Sequence, residues 1–145
     1  MTAQSADRDP GLRSGGAVPE YFPVDLPVAA SVVCYVGALA AVDTSGNARP
    51  GRTSASDKIL GVFCKRVDNS AGLAGAKRTQ GIRRGVFSFK NAAVDALGAA
   101  HIGGDAYVHD DQTFGATSNT GARVKGGTFV GLDPDISGNV LVQVG

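Results

Sequence analysis

The sequence predicts an all-β fold, a compact antiparallel β-barrel or sandwich, on three observations. Twenty-one glycines among 145 residues, with no Trp and one Met, describe short segments joined by tight turns rather than long helices. Clusters of Gly, Asn, Asp, Ser and Pro recur about every ten residues, as strands of a sandwich or barrel require. Near the C-terminus, Val140, Val142 and Val144 alternate with Leu141 and Gln143, so the valines cover one face of a sheet.

The length suits one domain with a real core. Fourteen Lys and Arg against 13 Asp and Glu leave a formal charge of +1, too little to steer the chain toward nucleic acid or an anionic membrane.

Residues 1–20 carry almost no large apolar side chain apart from Leu12 and Val18 and do not bury enough surface to offset their ordering entropy. They are expected to form an N-terminal arm, flexible or ordered on a neighbouring subunit, with the β domain spanning 21–145. Residues 21–28, Tyr-Phe-Pro-Val-Asp-Leu-Pro-Val, start the domain, and their two prolines confine them to an edge or to short pieces. Apolar runs at 31–35 and 38–42 flank Gly37 and read as a hairpin-like pair. The turn cluster Asp43-Thr-Ser-Gly-Asn47 follows. Residues 48–57 read as a surface loop and 59–66 as a strand with Phe63 and Cys64 on opposite faces.

Residues 67–75 read as a loop, and segments 77–80 and 82–89 as strands joined at Gly81. On the second, Arg83, Phe87 and Phe89 share one face and Ile82, Arg84 and Val86 the other. Neither face is cleanly polar, and one is expected to meet a partner rather than water. Only residues 91–100 have helical character, at most two turns, with Asn91 as N-cap and Gly98 as stop; an irregular connection is the alternative. Residues 105–109 form a strand, 110–112 turn the chain, and Thr113-Phe114 begin its return. Residues 124–132 and 140–144, joined through the turn-rich Asp133-Pro-Asp-Ile-Ser-Gly-Asn139, make a terminal hairpin.

Cys34 and Cys64 lie inside apolar runs and read as two reduced thiols. Residues 1–16 lack the apolar centre of a signal peptide, and no run approaches the roughly 20 apolar residues of a membrane span. The chain is therefore expected to be made, and to stay soluble, in a cytoplasm. Catalysis needs converging titratable groups, and His101 and His109 are the only histidines. His109 beside Asp110 and Asp111 reads as a solvated turn, and 133–137 as a plain turn lacking the later acidic ligand of a calcium loop. No cofactor is expected. Lys77, Arg78, Arg83 and Arg84, with Lys65 and Arg66 on a neighbouring strand, form the densest basic patch. An acidic protein surface explains it at least as well as nucleic acid does.

Four stretches carry a family resemblance. They are Gly37-Ala-Leu-Ala-Ala-Val-Asp-Thr-Ser-Gly46 with Ile59-Leu-Gly-Val-Phe63; Val67-Asp-Asn-Ser-Ala-Gly72 leading to Arg83-Arg-Gly-Val-Phe-Ser-Phe89; Gly104-Asp-Ala-Tyr-Val-His-Asp-Asp-Gln-Thr-Phe114; and Gly126-Gly-Thr-Phe-Val-Gly-Leu-Asp133 with the final valine strand. In this order they resemble the capsid decoration, or cement, proteins of tailed bacteriophages, over roughly residues 21–145.

The resemblance implies a β-barrel or sandwich without enzymatic activity that docks on the outer face of a phage head and stabilises the shell, often as a trimer at three-fold positions. The implied partners are the major capsid protein and copies of the chain itself, with no nucleic acid and no membrane, and the implied location is the virion surface. The interface expected from these readings comprises Tyr21, Phe22, Val24 and Leu26 of the edge segment and Arg83, Arg84, Phe87 and Phe89 of the mixed-face strand. Alternatives are another virion part, such as a tail-tube or head-fibre base domain, or a small hydrolase or ligand-binding β domain using His109, Asp110 and Asp111.

Overall fold

The computed structural model describes residues 20–145, so the expected arm falls outside the described residues except for Glu20. Eleven strands run in chain order: β1 (Val32–Cys34), β2 (Leu39–Val42), β3 (Ala48–Pro50), β4 (Lys58–Phe63), β5 (Val67–Asn69), β6 (Ile82–Arg83), β7 (Gly85–Asn91), β8 (Asp105–Val108), β9 (Thr113–Gly115), β10 (Lys125–Leu132) and β11 (Asn139–Val144). Among the described residues the only helical piece is a three-residue 3₁₀ turn, Ala99–His101. The fold is all-β, as expected.

The terminal hairpin organises it. β10 pairs antiparallel with β11, and β11 with β7, so Val140, Val142 and Val144 point inward and are buried. β8 pairs with both β10 and β9, and β9 returns to β7, closing a five-stranded barrel. That closing contact, Lys90 with Thr113 and Asn91 with Phe114, is parallel in an otherwise antiparallel barrel. Inside, the Phe89 and Phe114 rings meet edge to face at 4.9 Å between centroids, with Phe129 buried in the same core.

A four-stranded sheet, β3-β2-β4-β6, packs beside the barrel. Strand alternation sends Leu39 and Val62 into the barrel core and their neighbours Ala40 and Phe63 into a second core with Val28, Cys34 and Ile82. A sheet covered on both faces has room only for small side chains where two layers approach, which accounts for the alanines of β2. The β1-β5 ribbon joins the second core through Cys34 and Val67.

Several local expectations are corrected. The runs at 31–35 and 38–42 do not pair; β1 joins β5, and β2 forms its hairpin with β3. The turn cluster at 43–47 makes that hairpin, with the Asp43 carboxylate accepting the N–H groups of Ser45 and Asn47. Residues 48–57 and 67–75 each begin with a strand rather than being all loop, because β3 completes the hairpin with β2 and β5 finds a distant partner in β1. Residues 77–80 contribute a single bridge, Arg78 with Pro27.

Residues 91–100 are not a helix. Asn91 ends β7 and clamps the connection from outside, accepting the Leu97 N–H (2.8 Å) and donating to the Leu97 carbonyl (2.9 Å), and Gly98 precedes the 3₁₀ turn instead of stopping a helix. Both cysteines are free; Cys34 is buried and Cys64 half-buried.

Candidate functional site

The edge segment and the mixed-face strand, 60 residues apart in sequence, come together. The Phe22 N–H donates to the Ile82 carbonyl (2.7 Å) and the Arg84 N–H to the Glu20 carbonyl (2.6 Å), with Tyr21 opposite Arg83 between them. Residues 20–22 thus add a short antiparallel strand to the free edge of β6. The two arginines hold it from opposite faces. Arg83 donates to the Glu20 carboxylate (2.7 Å) and lies 5.9 Å above the Phe87 ring, while the Arg84 guanidinium lies 5.2 Å above the Phe22 ring.

Six of the eight expected interface residues therefore meet at one corner or adjoin it. Tyr21 and Arg83 are exposed, Phe22, Arg84 and Phe87 half-buried, and Val24 stands 55% exposed. Leu26 packs against the second core, its N–H held by the Thr79 hydroxyl (2.8 Å). Phe89 is a correction: it is 4% exposed and belongs to the barrel core, so it is not available to a partner.

Coverage of the strand's face explains the difference. Ile82 fills one core and Phe87 and Phe89 the other, as their odd separation dictates, and the face that is exposed at Arg83 is covered by the barrel core at Phe89. The chain passes from the four-stranded sheet to the barrel at Gly85, whose φ of +149° suits glycine.

Sequence reasoning missed a second part of the surface. On the outer face of β7, β11 and β10, Val86 lies opposite Gln143 and Gln143 opposite Thr128, while Leu141 lies between Ser88 and the bulge at Val130. Val86 is 51% and Val130 43% exposed, so the phase of these strands that faces water carries an apolar patch. The available signal was Leu141, an aliphatic residue out of phase with the three core valines.

Two further arginines of the basic patch are engaged locally. Arg78 donates to the Asp25 carbonyl, and Arg66 lies 5.5 Å above the Tyr35 ring and 3.7 Å from Asp68.

His109 does not gather with both of its neighbours. With Asp110 it lines an open cavity of about 420 Å³, whereas Asp111 lines a separate groove. Its Nε2 instead faces the Asp95 carboxylate at 3.3 Å, in space left by the missing side chain of Gly115. Asp95 also accepts the Thr117 N–H (3.1 Å) and sits 3.6 Å from Arg123. Burial by itself would raise the Asp95 carboxyl, but the hydrogen bonds from Thr117 and His109 outweigh it and hold the group below the ordinary carboxylate range. Burial pushes Asp111 the other way, helped by the charge of Asp110.

No known protein family, curated protein or solved structure matches the chain.

Proposed function

We propose that the chain is a capsid decoration protein that binds the outer surface of a phage head and stabilises the shell as a homotrimer at three-fold positions. The observation that carries this reading is the corner where residues 20–22 lie against β6, beside an apolar patch on the outside of a closed barrel. A closed barrel resists deformation.

Val86, Leu141 and Val130 offer apolar contact, and Tyr21, Val24 and Arg83 an amphipathic rim. Individually weak contacts of this kind become strong when symmetry repeats them over a shell. The resemblance of the four sequence stretches to cement proteins points the same way. The partners are the major capsid protein and neighbouring copies of the chain.

The test is co-sedimentation with expanded capsids of its own particle. A protein that is monomeric alone should bind in fixed stoichiometry, and deleting residues 1–16 should lower occupancy without unfolding the domain. Absence of the full-length chain from sedimented shells would sink the reading, and unchanged occupancy after the deletion would remove the arm from it.

A further inference from the structure

The chain segments that follow β7, β8 and β9 meet around the open cavity of about 420 Å³ beside His109. Val94 and Asp95 line it from the first, His109 and Asp110 from the second, and Asn119 and Arg123 from the third. Its volume is that of a small-molecule site.

The backbone around it is strained. Four described residues other than glycine have a left-handed φ, and three of them are Asp95 (77°), Asn119 (49°) and Thr120 (54°). With Gly121 at 88°, the last two belong to a run of three such residues. A β-branched side chain rarely takes this conformation, and strain of this kind gathers where a ligand is held.

Hydrogen bonds fix these loops to each other. The Arg123 N–H donates to the Ser118 carbonyl (2.9 Å) and the Thr120 hydroxyl to the Asn119 carbonyl (2.7 Å). The Ala116 N–H donates to the Asp95 carbonyl (2.9 Å) and the Thr117 N–H to the Asp95 carboxylate (3.1 Å), so the segment after β7 is tied to the one after β9. The cavity walls are therefore preorganised.

We infer that this cavity binds a neutral polyhydroxylated ligand, a hexose unit either free or at the end of a glycan. Charge disfavours the ionic classes. Asp95 and Arg123 lie 3.6 Å apart and offset each other, so a bare cation would face Arg123, and an anion would face Asp95 and Asp110. What the walls offer is planar groups, the carboxylates of Asp95 and Asp110, the Asn119 amide and the Arg123 guanidinium, each of a shape that can meet two neighbouring hydroxyls. Ala93 and Val94, the latter 85% exposed, add an apolar surface for the C–H face of a sugar ring. This inference goes beyond the capsid reading, does not depend on it and is tested without capsids.

The experiment is an amide NMR titration of the full chain with glucose, galactose, mannose and N-acetylglucosamine, each as the free sugar and as its methyl glycoside. Concentrations reach about 50 mM, because one sugar unit at an open site binds in the millimolar range. At least one of them should saturably shift the amides of residues 93–95, 109–110 and 117–123. Tighter binding of the glycoside points to a glycan end, and tighter binding of the reducing sugar to the free hexose. Asn119→Gly removes the side-chain amide where glycine suits the φ, so the domain should stay folded while binding weakens about fivefold, the worth of one hydrogen bond. Protonated glucosamine and glucuronate, the charged counterparts of glucose, should bind less tightly than glucose. No saturable shift with any neutral sugar, shifts centred elsewhere on the molecule, tighter binding of either charged sugar, or binding unchanged in Asn119→Gly would each overturn the proposal.

Discussion

The Arg84 guanidinium lies over the Phe22 ring, 5.2 Å from its centroid, while the Arg84 N–H donates to the Glu20 carbonyl. Phe22 is thus held by its ring, its backbone and the second core beneath it. Phe22→Ala is expected to cost about 1–2 kcal/mol, for a half-buried aromatic in partial contact with a core, and to lower Tm by about 5 °C. Under the capsid reading it also lowers shell occupancy, measured by co-sedimentation at a temperature where the variant is fully folded. A folded variant that binds shells normally would remove this corner from the interface.

Gly127 sits in β10 opposite Val144 on one side and Ala106 on the other. A Cβ there would run into the Gln143 carbonyl and come within 2.8 Å of Val142 Cγ1. Relief requires moving the backbone of β11, so Gly127→Ala is expected to destabilise the protein by about 1–3 kcal/mol. Thermal unfolding followed by circular dichroism checks this, and an unchanged midpoint would mean that the β10–β11 spacing is not tight.

Asp57 is 3% exposed and receives two bonds from Arg52, at 2.7 and 3.2 Å. The hydrogen bond from Arg52 is the main cause that holds its carboxyl below the ordinary range. A depressed acid contributes stability in full above its unfolded pKa of about 3.9 and loses it as pH falls through the lower folded value. Asp57→Asn should therefore cost about 1 kcal/mol at pH 7, a modest figure because Arg52 is half-exposed and screened. The two proteins should converge in urea denaturation at strongly acidic pH, and a gap independent of pH would contradict the electrostatic account.

Burial pushes the Cys34 thiol up to about 11, and Cys64 is raised by burial to a lesser degree. The thiolate is the reactive form, so Cys34 should stay unmodified by a maleimide at pH 7.5 in the native protein, while half-buried Cys64 reacts slowly. In denaturant both should react at once, as mass spectrometry would show by two additions. Rapid native labelling of Cys34 would mean that the β1-β5 ribbon opens readily.

Turn chemistry and strand phase were legible from the residues. Asp43 at the β2-β3 turn, the inward valines of β11 and the short bridging pieces that Pro23 and Pro27 allow needed only local rules, since each depends on neighbours within a few positions. The corner was half legible. Tyr21 and Phe22 stood out on an edge segment and Arg83 and Arg84 on a mixed-face strand, but that Arg84 stacks on Phe22 and Arg83 meets Glu20 depends on a pairing across 60 residues.

Phe89 was misassigned because its face was read as open along the whole strand, as it is at Arg83, whereas beyond Gly85 the chain joins the barrel and that face turns into the core. The helical reading of 91–100 failed because the alanines that favour a helix were outweighed by the Asn91–Leu97 clamp and by the pairing of Asn91 with Phe114.

By itself, then, the sequence determined the class of structure, the positions of most strands and the inward face of the last hairpin, all of which follow from side-chain period and turn residues. Tertiary structure alone decided which strands are neighbours: β1 with β5, β7 parallel to β9, and the residues before β1 along β6. A short strand buries its backbone groups against any partner of suitable phase, so the choice rests on how two cores fill together, and no local stretch of residues carries that information.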